Sequence, residues 1–151
     1  IGETMSGTYS FIDVQASITG PGGSFPLGYG EATAQEGITV AMANDKNVMT
    51  VGADGEGMHS LHADNSGQIT LRYLKTAPVN RTLMALYNGQ KLDSRLWGKN
   101  VIVINQSVAG DIVTAVQCAF KKVPDLTYAQ DGGTVEWVFD AVRIDEMLGT
   151  Y

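Results

Sequence analysis

Residues 9–19 read YSFIDVQASIT, and their alternation decides the class of fold. Ile12, Val14, Ala16 and Ile18 recur at every second position, with Ser10 sharing their parity at the edge. Asp13, Gln15, Ser17 and Thr19 occupy the positions between. A strand sends successive side chains to opposite faces, so this stretch predicts a strand with one apolar and one polar face. Gly20-Pro21-Gly22-Gly23 then closes it as a turn, because Gly tolerates positive φ and Pro presets the bend.

The same two-residue period continues outward from this strand. A shorter, glycine-interrupted strand is expected over 25–31. Ile38, Val40 and Met42 alternate with Thr39, Ala41 and Ala43 until Asn44-Asp45-Lys46-Asn47 breaks the run. Residues 48–53 read as a strand ending in Asp54-Gly55-Glu56-Gly57, and Asp64-Asn65-Ser66-Gly67 reads as a hairpin tip before a strand over 68–75. In that strand Ile69, Leu71 and Tyr73 share a face. Residues 101–105 are continuously apolar, as in a strand buried on both faces. A long strand over 112–123 places Ile112, Val116, Cys118 and Phe120 on one parity, and 124–133 is a loop. Over 134–142, Val135, Trp137 and Phe139 face one way and Val138 the other.

One segment changes period. Val79, Leu83, Leu86 and Tyr87 recur at helical spacing after Thr76, the expected N-cap, with Pro78 near the start. Asn88-Gly89 supplies the expected stop. The chain therefore predicts a mainly β fold, a sandwich or partly closed barrel with one flanking helix. It reads as a single domain over 1–151, with 1–8 as a flexible N-terminal arm.

Composition narrows function. The 151 residues carry ten Lys and Arg against sixteen Asp and Glu, a formal net charge of -6. Nucleic-acid gripping needs a basic face, which this balance does not supply. Cys118 is the only cysteine, which fits a reducing compartment and excludes an intrachain disulfide. The opening IGETMSGTYSF lacks the basic and apolar regions of a signal peptide, and its Ile1 implies that the first residue or residues are missing or removed. No run approaches the roughly 20 apolar residues that cross a bilayer.

The candidate chemical motifs dissolve on inspection. His59 and His62 stand three apart, which on a strand sends them to opposite faces, and no third ligand cluster is near in sequence. The expectation is no metal and no cofactor. Gly20 to Gly23 and the glycines of 52–57 lack the Lys-Ser/Thr ending and the helix start of a phosphate loop. Cys118 lies inside an apolar strand pattern, as a small buried hydrophobe. Asn80-Arg81-Thr82 and Asn105-Gln106-Ser107 match the glycosylation sequon without a secretory context. No catalytic residue emerges, so the chain is expected not to be an enzyme. Two readings remain: a subunit that finishes its burial against copies of itself, or a monomeric β-sandwich binding module using Trp97 or Trp137 as an aromatic platform.

A resemblance favours the first. Gly7-Thr8-Tyr9-Ser10-Phe11, Asp13-Val14-Gln15 and the turn at Gly20 to Gly23 resemble the start of the small tail tube protein family of contractile-tailed phages (myophages) and related prophages. Glu36-Gly37-Ile38-Thr39-Val40, Thr50-Val51-Gly52-Ala53-Asp54-Gly55, Leu74-Lys75-Thr76 and Pro78-Val79-Asn80 continue it. So do Phe120-Lys121-Lys122, Pro124-Asp125-Leu126-Thr127-Tyr128, Glu136-Trp137 and Phe139-Asp140-Ala141, so that the likeness spans about residues 7 to 148. It implies hexameric rings of this chain, stacked into a hollow tube inside a contractile sheath. The implied partners are tail sheath, baseplate and tail terminator proteins, with tape measure protein and phage DNA transiently in the lumen. The implied location is the virion tail, assembled in the host bacterial cytoplasm. Family members have no catalytic residues to carry over.

Within that picture two polar faces are candidates for the lumen: Asp13, Gln15, Ser17 and Thr19 on the first strand, and Thr70 and Arg72 on the strand over 68–75. Residues 52–67, with Asp54, Gly55, Glu56, Gly57, His59 and His62, are expected to form a loop or hairpin reaching toward a neighbouring ring.

Overall fold

The computed structural model describes residues 14–27, 33–106, 110–126, 128–130 and 132–149. Over these, nine strands and one helix follow in the order β1 (Val14–Gly20), β2 (Gly23–Pro26), β3 (Thr33–Met42), β4 (Asn47–Val51), β5 (Gly57–Leu61), β6 (Gly67–Leu74), α1 (Val79–Gln90), β7 (Asn100–Gln106), β8 (Asp111–Lys122) and β9 (Thr134–Met147). Seven strands make one antiparallel sheet in the order β2-β1-β7-β8-β9-β6-β3, and β4 and β5 pair separately. The first strand behaves as its alternation requires: Val14, Ala16 and Ile18 are buried, while Gln15 and Thr19 are exposed. Gly20 pairs with Gly23 across the turn. β2 ends at Pro26, and 28–31 of the expected second strand lie outside the described residues.

The seven-stranded sheet folds over on itself at a corner in β8 and β9. Gln117 takes φ 53, in the left-handed region, and the β7–β8 register shifts just there, between Asn100 and Ile102. Inward parity changes across the corner. Val113 and Ala115 pack on the core before it, and Cys118 and Phe120 after it. On β9, Phe139 and Ala141 are inward, Val142 and Arg143 are both exposed, and Ile144 is inward again. A strand that crosses from one layer to another must skip a step to keep its apolar face inside, and bulges are how sheets turn such corners. This corrects the expected single parity of 112–123: Ile112 is exposed and Val116 only half-buried.

The corner creates two layers. β2, β1 and β7 lie with the first part of β8, which pairs with the second part of β9. β3 and β6 lie with the first part of β9. Val14 of β1 and Ile38 and Val40 of β3, with four strands between them in the sheet, consequently line one cavity of about 170 Å³.

Between the layers sits an aromatic core. Phe120 meets Phe139 at 4.6 Å between ring centroids, Tyr87 at 5.5 Å and Trp137 at 5.9 Å. The Tyr87 and Trp137 contacts are edge-to-face, an arrangement that stabilises beyond the area it buries. α1 closes the open side with Leu83 and Leu86 buried. Its start is Pro78, with no side-chain cap, so Thr76 does not perform the expected capping. Its end also departs from expectation: the helix continues through Asn88 and Gly89 to Gln90. The reason is an amide pair, Gln90 Nε2 donating to Asn100 Oδ1 at 2.7 Å and Asn100 Nδ2 to Gln90 Oε1 at 3.0 Å. Both side chains are buried, and the pair ties the last turn to β7. In β7, Ile102 is buried but Val101 and Val103 are only half-buried, so the strand has one core face rather than two.

Candidate functional site

Two surfaces carry the residues singled out by sequence: an arm, and the outward faces of the two layers. The arm continues the β3–β6 pair beyond the sheet. Met42 pairs with Gly67, the Ala43 amide donates to Ser66 O at 3.0 Å, and the His62 amide donates to Lys46 O at 2.8 Å. β4 and β5 then run from Asn47↔Leu61 to Val51↔Gly57. Asp54, Gly55 and Glu56 form the tip, where Gly55 takes φ 89 and Asp54 Oδ1 accepts from the Glu56 amide at 3.1 Å. Residues 33–74 are thus one hairpin whose outer part leaves the body. Asp64 to Gly67 is not a hairpin tip, as expected from composition, but the returning limb of this arm: β6 pairs with β3 and β9, not with β5.

The root of the arm is fixed by polar contacts. Lys46 Nζ donates to His62 O at 2.9 Å, Asn65 Oδ1 at 2.8 Å and Asp64 O at 3.3 Å. Asn44 Nδ2 donates to Asp64 Oδ2 at 2.6 Å, and the Ser66 amide to Asp64 Oδ1 at 2.8 Å. The Ser66 contacts, with Asn44 behind them, lower the Asp64 carboxyl to about 2. In the sequence 44–47 shows only as a break in the strand pattern, and the role of Lys46 is not legible there because its three acceptors lie 16 to 19 positions away.

Beyond the root the arm is apolar and bare. Val48 and Met58 lie on one of its faces, and Met49, Val51 and Leu61 on the other, by the register of β4 against β5. Leu61 is 84% exposed and Met49 and Met58 each 60%. A two-stranded ribbon with no packed face is marginal alone, so this one is built to be covered by something else. His59 Nδ1 lies 3.0 Å from Asn47 Nδ2, and His62 engages through its backbone. Among the described residues no three His, Cys, Asp or Glu side chains are grouped to hold a metal.

The structure separates the two candidate lumen faces. Gln15, Ser17 and Thr19 point outward from the β1 layer, with Thr19 Oγ1 and Ser24 Oγ 3.1 Å apart. Asp13 lies outside the described residues. Thr70 and Arg72 point outward from the β6 layer, across the corner. Arg72 Nη1 donates to Thr39 Oγ1 at 2.8 Å and its Nε lies 3.4 Å from Glu136 Oε2, so its charge is neutralised within the sheet surface.

Features that suggested chemistry are occupied by structure. Burial pushes the Cys118 thiol up to about 11, which keeps it protonated and unreactive. Asn80 of the first sequon donates to Leu74 O at 3.0 Å and accepts from Trp137 Nε1 at 3.0 Å, leaving no free amide for a glycan. Trp137 is 1% exposed and Trp97 packs against the core, so neither is the surface platform a binding module needs.

Comparison with known proteins agrees with this architecture. No curated protein matches the sequence. Among solved structures the fold is similar to a chain of the anti-feeding prophage baseplate at TM-score 0.62 and 10% identity, covering 95% of this chain and 97% of that one. It is similar to a chain of the sheath/tube terminator of an extracellular contractile injection system in the extended state, at TM-score 0.61 and 14% identity, covering 95% and 99%. The sheath-tube complex of an extracellular contractile injection system gives TM-score 0.54 at 12% identity, covering 89% and 88%. Residues 5–149 match the family described as bacteriophage PhiTE tail tube protein, and the chain belongs to that family as a structural subunit of a phage tail tube.

Proposed function

We propose that this subunit works by assembly rather than by catalysis, forming hexameric rings that stack into the conduit for DNA ejection within a contractile sheath. The observation that carries this is the arm, whose apolar residues on both faces stay exposed among the described residues of the subunit. β2 and β3, the edges of the sheet among the described residues, complete the reading, since six copies joining sheet edges close a barrel and leave none exposed. The similarity to sheath-tube, terminator and baseplate chains supports sheath, terminator and baseplate proteins as partners. Tape measure protein and DNA would occupy the lumen, and assembly would take place in the host cytoplasm.

A conduit must not hold its cargo. The outward face of β1 carries Gln15, Ser17 and Thr19 and no charge, and the β6 face carries Arg72 already paired with Glu136. Either wall offers phosphates no cation with which to release counterions. The test is removal of 48–60 with a short turn joining the root. The shortened protein is expected to keep the far-UV and near-UV dichroism of the body yet form no rods in negative stain. Full-length tubes from that variant would refute the role of the arm.

A further inference from the structure

The arm and its missing partner surface lie at opposite ends of the same strand pair. The arm leaves β3 and β6 at Met42↔Gly67. The other end of β6 finishes at Leu74, paired with Thr134 at the start of β9. β6 has eight residues, so these ends are roughly 24 Å apart at about 3.4 Å per residue. At the far end the Lys75 amide donates to Gly133 O at 3.0 Å, which holds the loop after β8 against the turn after β6.

That end is an apolar rim among cations. Tyr128 is 83% exposed with Lys75 Nζ stacked 3.9 Å above its ring, and Leu126 and Leu74 are also exposed. Lys121 and Lys122 close β8, where Lys122 pairs with Val138 level with Thr70 of β6, and the chain runs on from them toward this end through Leu126, with Asp125 3.9 Å from Lys122. The arm carries the opposite sign: its tip between Val51 and Gly57 has Asp54 and Glu56 and no base. A basic apolar rim and an acidic apolar tip on one molecule, too far apart to meet within it, fit each other across two molecules.

We infer that the arm of one subunit seats on the Leu126–Tyr128 rim of a second copy, with Asp54 and Glu56 set against Lys75, Lys121 and Lys122 of that copy. The contact is heterologous, joining unlike patches at opposite ends, and such contacts run on as a filament instead of closing into a dimer. The apolar residues supply the burial, and the charges fix orientation and speed the encounter. This rests on the arm being an assembly element and adds what receives it.

Charge exchange tests the pairing. One variant carries Asp54→Lys and Glu56→Lys; the other carries Lys121→Glu and Lys122→Glu. Each alone sets like charges against each other and is expected to show at least about a tenfold fall in polymer yield by light scattering. An equimolar mixture restores opposite charges at every contact in an alternating stack, and its polymer yield is expected to return to within about twofold of the original. Single variants that polymerise normally, or a mixture that stays unassembled while the arm-shortened protein also fails to polymerise, would overturn the inference and leave the role of the arm intact. Should a charge variant not fold, Glu56→Cys with Lys121→Cys gives a second readout, since the one native cysteine is buried. Oxidised polymer is expected to yield intersubunit disulfide ladders in denaturing gels, and their absence from formed polymer counts against the pairing.

Discussion

The body and the arm are built from similar strands and solve opposite problems. β6 reads GQITLRYL and buries Ile69, Leu71 and Tyr73; β4 reads NVMTV and buries nothing. Both have β-branched and long apolar residues. What differs is the neighbour: β6 lies between β3 and β9 beneath a helix, whereas among the described residues β4 has only β5. An apolar side chain in a strand is thus a requirement for a partner, and the chain decides separately whether that partner is itself.

The sharpest way to break the comparison is to remove one large side chain from each region. Phe120→Ala takes away the ring that touches Tyr87, Trp137 and Phe139 and is expected to cost about 3–5 kcal/mol in urea unfolding. Leu61→Ser is expected to stay within about 0.5 kcal/mol while lowering assembly. A Leu61→Ser variant as destabilised as the Phe120 variant would mean that the arm packs on its own body. Next in size, Asn100→Ala leaves the buried Gln90 amide without its partner, and the expected loss is about 1–3 kcal/mol with α1 fraying first in hydrogen exchange. Smaller still, Gln117 holds φ 53 at the corner, where Gly is unstrained. Gln117→Gly is expected to lie within about 1 kcal/mol of the original and Gln117→Val to be clearly less stable, by thermal unfolding.

The mildest perturbation is acid at the arm's root. Asp64 has its carboxyl lowered from 3.8 to about 2 by Ser66 and Asn44. A group depressed in the folded state contributes above its unfolded value and loses that contribution as pH falls through the folded one. The root is therefore expected to hold its geometry down to pH near 3.8 and to loosen toward 2, read as faster exchange of the Ser66 amide with the body unchanged. Loosening already at pH 6 would assign the root to another group.

Strands with one face inside were legible because alternation survives wherever packing is one-sided: β1, β6 and the first part of β9 carry their core residues at the expected positions. β8 was misread in its first half because parity inverts at Gln117, and a corner depends on how two layers meet, which no local period records. The helix end was misplaced for a similar reason, since Gln90 is held by Asn100 ten positions on. The turn at Asp54 to Gly57 was legible from its composition. The rim at Leu126 and Tyr128 was not, because its meaning lies in its position opposite the arm.

The corner has a mechanical consequence. A pull on the arm enters the body through β3 and β6 and crosses to β9 by shear across the eight paired positions from Gly67↔Ala141 to Leu74↔Thr134. β9 and β8 then carry it round the corner along the covalent backbone, so the two layers cannot slide past each other without stretching a continuous chain. Tension along the arm is therefore shared by two through-running strands rather than by side-chain packing between the layers, which suits the wall of a tail tube.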